Sequence, residues 1–194
     1  FFLGAATSAN GLACSLNGAR ARIDLTCRYL ARDHEVLDIN HVVRMRGRNT
    51  RAEVRESGVL DDAARKSLRA TIDLIHGGSG AEGTELENVL VLGDDVVNKT
   101  MPVILCDEDD VAGNHGATIG SVGPEQIQYL ADRGLTTAEA EALYVRALFD
   151  EALIAAPTPE VRDAVLARAT AVLGEEIAND LVEGLGLDSD SQEG

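Results

Sequence analysis

The stretch DDVAGNHGATIG, from Asp109 to Gly120, separates two kinds of sequence pattern. Before it, apolar and polar residues alternate in short runs, which is typical of strands with one buried face. After it, apolar residues recur at intervals of three and four, which is typical of amphipathic helices. Two adjacent carboxylates and one histidine, His115, lie among small residues at this join. We therefore expect a β-rich part followed by a helical part.

The β-rich part contains two clear alternating runs and several shorter ones. Both clear runs, residues 20–30 and 36–45, put apolar side chains on one face and polar side chains on the other. The shorter runs lie near residues 50–56, 70–76, 86–92 and 101–106. No helical pattern separates these runs, which argues against βαβ units. Such strands can form a sandwich, a barrel or a solenoid, and the lack of a strict short repeat counts against an ideal solenoid.

The helical part carries clear start and stop signals. Pro124 suits a first helical position, and Gly134 suits a stop. Thr136 and Glu139 match a capping box that begins a second helix. Prolines at 157 and 159 end that helix and begin a third, and a short fourth helix is expected over residues 175–184. The apolar stripe predicted on the second helix comprises Ala140, Leu143, Tyr144, Ala147, Leu148 and Ile154.

These patterns predict the domain organisation. We expect a β part over residues 1–122, a helical domain over 123–188 and a disordered tail over 189–194. The chain starts at Phe1 without an initiator Met or a basic leader, and strand-like sequence begins almost at once. It is therefore expected to be the C-terminal part of a longer protein.

Composition restricts the classes of protein and partner. Aromatic residues make up 3% and Trp is absent, so the core must be built from Val, Leu, Ile and Ala, which suits stacked layers. Residues 1–105 carry 13 Lys and Arg against 14 Asp and Glu, whereas residues 106–194 carry 4 against 19. The acidic second half is expected to repel nucleic acid and anionic membranes. It is either a solvated helical surface or a docking surface for a basic partner.

Two further features bear on location. No apolar run approaches the roughly 20 residues of a membrane span. The cysteines are three in number, Cys14, Cys27 and Cys106, and their spacing matches neither a disulfide framework nor a metal motif. An odd count fits a reducing, cytoplasmic compartment.

Several motifs, in a fixed order, resemble the SufB/SufD family of iron–sulfur cluster assembly proteins over roughly residues 10–155. In chain order they are GVL at 58–60, NVLVL at 88–92 with Pro102, DDV at 109–111 with HGAT at 115–118, and QIQYL at 126–130 with RGL at 133–135. The GVL motif looks like the family's KGVL turn, and HGAT favours a SufD-like member. The chain departs from the family at 112–114, where Ala-Gly-Asn replaces a segment that often contains cysteine.

The resemblance implies a fold and a role. The fold is a right-handed parallel β-helix, here a fragment, followed by a small helical domain. The role is a non-catalytic scaffold that pairs with a SufB/SufD-like paralogue or with itself. Its C-terminal helices would bind a SufC ATPase, and an iron–sulfur cluster or iron would be held transiently. The ATPase chemistry belongs to SufC, and no Walker A motif occurs in this sequence.

Candidate site residues follow from chemistry and from the resemblance. His115 is the first candidate because imidazole is a good iron ligand, and the alternative is a structural histidine. Cys106 is a second candidate as a thiolate ligand, although a buried structural role is favoured for it and for the other two cysteines. The residues expected to contact the ATPase are Leu135, Ala140, Leu143, Tyr144 and Ala147.

Other polar residues are assigned structural roles. The acidic run Asp107–Asp110 lacks the spacing of a calcium loop and is expected to be a solvated turn that caps backbone amides. His41 falls on an apolar strand face and is expected to be a core histidine with a hydrogen-bond partner. Two other classes remain open. A carbohydrate-active or adhesive β-helix would need aromatic platforms, and a transporter permease subunit would need membrane spans.

Overall fold

The computed structural model describes residues 1–185, in which eight strands precede four helices. The strands are Thr7–Leu16 (β1), Arg22–Ala31 (β2), Val36–Met45 (β3), Arg51–Leu60 (β4), Arg65–Leu74 (β5), Ala81–Val91 (β6), Val97–Cys106 (β7) and Val111–Gly120 (β8). The helices are Pro124–Ala131 (α1), Thr137–Ala155 (α2), Pro159–Leu173 (α3) and Glu175–Gly184 (α4). They form two compact units, Phe2–Ser121 and the helical residues from Val122 onward.

The strands wind into a parallel β-helix of four coils. Alternate strands pair in parallel to form two sheets, with the orders β1-β3-β5-β7 and β2-β4-β6-β8. Each coil therefore contributes one strand to each sheet, and its side chains that point inward stack on those of the next coil. The predicted fold class, a parallel β-helix followed by helices, is confirmed. The sequence-based domain limits stay a prediction, and the tail predicted over 189–194 lies outside the described residues.

The coils have nearly equal lengths, which the residue identities do not reveal. Thr7 pairs with Val36, which pairs with Arg65, so 29 residues separate these partners, and the spacing grows to 30–32 residues in the later coils. Left-handed turn residues recur at the same spacing, because Asp33 and Asp62 both have φ 54°. Asp tolerates this conformation better than most side chains do, since its short polar group can hydrogen-bond locally. What repeats is the alternation and the turn geometry, which explains why no strict sequence repeat is visible.

One sequence-based assignment in the β-helix is wrong, and strand β8 lies where no alternating run was identified. Residues 111–120, within the β part expected over 1–122, form this strand, which pairs along its length with β6. Its small residues have low strand propensity, and the neighbouring strand supplies the pairing. The GVL motif at 58–60 is not a turn, because it forms the end of β4. The strands are also longer than the shorter runs suggested, since all eight have ten or eleven residues.

Aliphatic layers fill most of the β-helix interior, as the composition predicted. Two clusters of buried side chains lie inside the coils. One centres on Ile39, Leu60 and Leu68, and the other on Met45 and Ile72. Tyr29 is the aromatic residue among the members of these clusters. Burial of each such aliphatic side chain stabilises the fold by about 1.5–3 kcal/mol relative to exposure.

The helical unit begins and ends its elements at the predicted signals. Pro124 occupies the first turn of α1, and Gly134 adopts a left-handed φ of 91°. The Thr136 hydroxyl accepts a hydrogen bond from the Glu139 amide at 3.2 Å, and the Glu139 carboxylate accepts one from the Thr136 amide, which completes the capping box. No helix among the described residues combines the length and the apolar character that a membrane span requires.

The apolar stripe predicted on α2 is partly wrong. The buried residues of α2 are Ala140, Val145, Leu148, Phe149, Ala152 and Leu153. Leu143 and Ile154 are instead 44% and 73% exposed. The buried face is rotated relative to the predicted stripe because α2 packs against α1, α3 and α4 together. In a helix rich in apolar residues, periodicity does not show which stripe the neighbouring helices cover. An apolar stripe on α2 therefore remains accessible.

Candidate functional site

His115 lies at the centre of β8, the last strand of its sheet among the described residues. Its ladder partner is Glu85 of β6, whose own partner in β4 is Val54. Both partners are buried inside the β-helix, so His115 continues an inward-facing column by one coil. His115 is nevertheless exposed, because no described strand stacks beyond β8. The imidazole therefore lies at the open end of the β-helix interior and is accessible. A ligand-binding side chain must be accessible in this way.

Gly113 lies in the segment where the family often has a cysteine, and it packs closely inside the last coil. A Cβ atom at Gly113 would lie 3.0 Å from Cγ2 of Ile104 and 3.2 Å from Cδ1 of Leu74. Those distances are tighter than ordinary van der Waals contact, so any side chain there requires Ile104 to move. The departure at residues 112–114 is therefore accommodated by packing against β7 and β5.

Cys106 ends β7 and is exposed, so the prediction that it is buried is wrong. Its Sγ donates a hydrogen bond to the backbone carbonyl of Glu108 at 3.3 Å. Cys27 is buried as predicted, and burial together with the charge of Glu56 raises the pKa of its thiol to about 12. Cys14 is only half-buried. Cys106 is therefore the most accessible thiol among the described residues. It is exposed because β7 is the last strand of its sheet, and no described strand packs beyond it.

Cys106 and His115 are not brought together. Ile104 approaches Gly113 across the last coil. Cys106 lies on the turn side of that contact, and His115 lies on the far side. Among residues 1–185, no group of three or more His, Cys, Asp or Glu side chains is placed to hold a metal ion. Among the described residues, His115 therefore does not belong to a preformed set of three or more metal ligands.

The acidic run between β7 and β8 caps backbone amides, as predicted. The Glu108 carboxylate accepts hydrogen bonds from the amides of Gly77 at 2.8 Å and Asp109 at 3.1 Å. These hydrogen bonds lower the pKa of Glu108, with the Gly77 amide as the largest cause. The Asp110 carboxylate accepts from the Ser79 hydroxyl at 2.6 Å. The run therefore links the turns of successive coils.

A buried polar cluster, which the sequence did not reveal, lies inside the β-helix and joins strands from the first coil to the last. We call Tyr29, Lys66, Glu87 and Thr100 the Glu87 cluster. The Tyr29 hydroxyl donates to Oε1 of Glu87 at 2.8 Å, and the Lys66 ammonium donates to the same oxygen. The Thr100 hydroxyl donates to Oε2 of Glu87 at 2.6 Å and accepts from Lys66 Nζ at 3.0 Å. Glu87 is thereby the acceptor that joins four strands.

Burial dominates the electrostatics of this cluster. Burial lowers the pKa of Lys66, while the hydrogen bond and charge of Glu87 act in the opposite direction. Burial and the adjacent Glu87 carboxylate raise the pKa of the Tyr29 hydroxyl. The sequence contained one signal for this cluster, the position of Lys66 in the alternation of β5. Lys66 lies two residues before Leu68, so both side chains point to the same, inward face. Reading the alternation strictly would have placed Lys66 inside.

A buried pair of polar side chains lies in the second coil, on β3 and β4. The His41 ring places Nδ1 at 3.0 Å from Oε1 of Glu56, and both side chains are buried. The prediction that His41 is a core histidine with a hydrogen-bond partner is confirmed. This contact, like the Glu87 cluster, pairs two polar groups that would otherwise be costly to bury.

Glu85 is the unpaired acid of the interior. Its side chain is buried, and neither carboxylate oxygen has a hydrogen-bond partner. The second oxygen of Glu56 is likewise buried without one. Burial, followed by the charges of Glu56 and Glu87, raises the pKa of Glu85 from 4.5 to about 7. Glu85 therefore titrates near neutral pH in the folded protein.

Replacing Glu85 by Gln is expected to stabilise the protein at pH 8 but not at pH 5. The folded pKa of about 7 exceeds the unfolded value of 4.5, so the folded state binds the proton more tightly. Stability from this group is therefore highest below pH 4.5 and falls as the pH rises to 7, by about 3 kcal/mol at most. Urea unfolding from pH 4.5 to 8 measures the effect. An unchanged pH profile in Glu85→Gln would contradict the assignment.

The helical unit offers an apolar groove between α1 and α2. Its lining residues are Glu125, Gln126, Tyr129, Leu130 and Tyr144. Tyr129 is 56% exposed, and the Arg133 guanidinium lies 3.5 Å from its ring centroid, a cation–π contact that holds the ring in place. Leu143 directly precedes Tyr144 in α2 and is also exposed.

The residues predicted to contact the ATPase divide into two groups. Leu143 and Ala147 are exposed, and Leu135 and Tyr144 are half-buried, so all four can reach another molecule. Ala140 is only 1% exposed and packs inside the helical unit, so its assignment to the contact surface is wrong.

These features define a class of protein, a short parallel β-helix with a buried polar cluster in its largely aliphatic interior, an exposed histidine on its last coil and an appended helical unit. Residues 1–148 match the family model of the SUF system FeS cluster assembly, SufBD core domain. The chain therefore belongs to the SufBD family of iron–sulfur cluster assembly proteins.

Relatives with curated descriptions agree with this assignment. The chain is 33% identical to the iron–sulfur cluster assembly protein SufD of Bacillus subtilis over 99 residues, which cover 51% of this chain and 23% of that protein. It is 25% identical to SufD of Escherichia coli over 168 residues, covering 87% of this chain and 40% of that protein. A SufBD family protein of Methanocaldococcus jannaschii is 25% identical over 131 residues, covering 68% and 40%. The chain thus spans less than half the length of these relatives.

Proposed function

We propose that this chain is a non-catalytic scaffold of a SUF-type assembly complex, cytoplasmic and SufD-like. It pairs with a SufB/SufD-like subunit or with a second copy, and it binds a SufC-type ATPase through its helices. The observation that carries the proposal is His115, which the last coil exposes in a chain of the SufBD family. Nascent cluster or iron is cargo in this scheme, and a single imidazole suits a transient contact better than permanent binding.

The groove between α1 and α2 supports the ATPase contact. Tyr129 lines the groove and is exposed, and Leu143, which precedes the groove residue Tyr144 in α2, is exposed as well. Residues 106–194 carry 4 basic and 19 acidic side chains, which would favour a partner with a basic rim around an apolar centre. Both properties suit a docking surface for another protein.

Replacing Leu143 by Asp is expected to abolish capture of the SufC-type ATPase without unfolding the protein. Leu143 is 44% exposed, so a charge there disrupts an interface but not the core. Val161, on α3, is 41% exposed and provides the matched control as Val161→Asp. A pull-down of the full-length protein with the ATPase of its own organism measures the effect. Equal capture by both variants would count against the α2 surface, and no capture by the wild type would count against the whole scheme.

Replacing His115 by Ala is expected to keep the ATPase contact but reduce cluster formation in cells by at least about tenfold. The side chain is exposed, so its removal leaves the fold intact. His34, exposed in a turn of the β-helix, provides the control His34→Ala. Activity of a reporter iron–sulfur enzyme measures cluster formation. Normal activity in His115→Ala would remove this residue from the mechanism.

A stand-alone carbohydrate-binding β-helix is the alternative function. Sugar sites generally use aromatic platforms, and the β-helix strands expose no aromatic side chain among the described residues. The charged surface between β2, β4 and β6 consists of ion pairs such as Arg51 with Glu82, whose NH1 and Oε2 atoms lie 2.7 Å apart. No observation favours this alternative over the scaffold.

A further inference from the structure

The last coil, which carries His115, is the least buried part of the β-helix. Within β8, only Val111 and Gly116 are even half-buried, whereas β5 buries every second residue completely. Strands β7 and β8 stack on described neighbours along one edge only. Apolar burial therefore contributes less to the order of this coil than to that of the coils inside.

Thr100 connects this coil to the interior. Along the described strands β7 and β8, it is the side chain that hydrogen-bonds to groups inside the preceding coil. Its hydroxyl donates to Glu87 of β6 at 2.6 Å and accepts from Lys66 of β5 at 3.0 Å. Those two strands are the ones on which β8 and β7 stack. One hydroxyl thus holds the last coil to both sheets at once.

The charged partners make these hydrogen bonds strong. Lys66 and Glu87 are each 1% exposed, so water does not compete for Thr100. Hydrogen bonds to ionised groups are about twice as strong as neutral ones, and they strengthen further away from water. The Glu87 carboxylate is itself fixed by Tyr29 and Lys66, so it cannot follow a displaced Thr100.

Thr100 and His115 meet nearby positions of β6. Glu87, the acceptor of Thr100, pairs with Ala117, and Glu85 pairs with His115, so these two positions of β6 are two residues apart. Thr100 itself lies on β7, which ends at Cys106, and β8 begins at Val111, so a displaced β7 would move β8 through a short connection.

We propose that Thr100 is a positioning residue, which clamps the last coil through Lys66 and Glu87 and thereby holds His115 in place for cluster assembly. This inference rests on the proposed role of His115. The clamp itself is independent of that role, because hydrogen exchange can detect it without any cluster. The two can therefore fail separately.

The test compares three variants of the full-length protein. Thr100→Val keeps the shape and removes the hydroxyl, Thr100→Ser keeps the hydroxyl, and Thr71→Val makes the same change on β5 away from the cluster. Amide hydrogen exchange of residues 111–120 is expected to be about five- to tenfold faster in Thr100→Val, with residues 36–60 unchanged. Thr100→Ser and Thr71→Val are expected to match the wild type.

Cluster formation in cells is the second measurement. Thr100→Val is expected to lower it at least threefold at a normal protein level, and Thr100→Ser is expected to restore it. Unchanged exchange in Thr100→Val overturns the clamp. Faster exchange with normal cluster formation, in a background where His115→Ala is defective, overturns the positioning role. Normal cluster formation in His115→Ala rejects the proposed site, while the exchange result still decides the clamp.

Discussion

Replacing Lys66 by Met is expected to lower the free energy of unfolding by about 3–5 kcal/mol, because it leaves the Glu87 carboxylate in the interior without its cation. Both side chains are fully buried, so water cannot replace the lost partner. Met is close to Lys in length and fills the same volume, which separates the electrostatic effect from a cavity. Chemical denaturation monitored by circular dichroism measures the change.

The chain provides a matched control for this substitution. Lys99 is the other lysine and is exposed on β7, so Lys99→Met is expected to change stability by less than about 0.5 kcal/mol. Adding Glu87→Leu to Lys66→Met is expected to recover much of the loss, since an apolar pair often replaces a buried ion pair without penalty. A loss below about 1 kcal/mol in Lys66→Met alone would contradict a stabilising role for the buried contact between Lys66 and Glu87.

Replacing Gly58 by Ala is expected to destabilise the protein by about 3 kcal/mol, at the upper end of ordinary overpacking. A Cβ atom there would lie 2.2 Å from Cδ2 of Tyr29 and 2.3 Å from the Tyr29 backbone carbonyl. The ring cannot turn away without losing its hydrogen bond to Glu87, and the carbonyl belongs to the neighbouring strand. The backbone must therefore move.

Gly120 is the control for this second substitution. It also lies in a strand, β8, but a Cβ atom there meets nothing within 4 Å. Gly120→Ala is therefore expected to leave stability unchanged or slightly higher, because Ala restricts the unfolded chain. The two variants are compared by their denaturation midpoints. Equal midpoints would mean that the Tyr29 ring does not occupy the space above Gly58.

Gly58, the first residue of the GVL motif, serves packing in this chain. The resemblance to the family's KGVL turn implied a turn at residues 58–60. The structure places Gly58 inside β4, where the absence of a side chain leaves room for the Tyr29 ring to reach Glu87. Sequence alone could not make this distinction, since the ring and the glycine are 29 residues apart. A glycine in a strand is often a sign of such a close approach.

In the helical unit, too, local signals were found from the sequence, whereas the packing was found only in part. Local signals placed the caps correctly, because Thr136 and Glu139 interact within one turn of helix. The buried face of α2 was predicted only in part, since it depends on three other helices. Leu143 and Ile154 are as apolar as Leu148, and only the packing shows which of them remain accessible.

Several strands, the helix caps and the candidate His115 could be found from the amino-acid sequence, because alternation, capping and local motifs involve residues close together in the chain. Strands β1 and β8 and the stacking of residues from coil to coil could be found only in the folded protein. Tyr29 and Glu87 are 58 residues apart, and Lys66 and Thr100 are 34 apart. Period-two alternation shows that a side chain points inward but not which partner it meets, since turn lengths set the register between coils. The Glu87 cluster and the exposed end at His115 arise from that register.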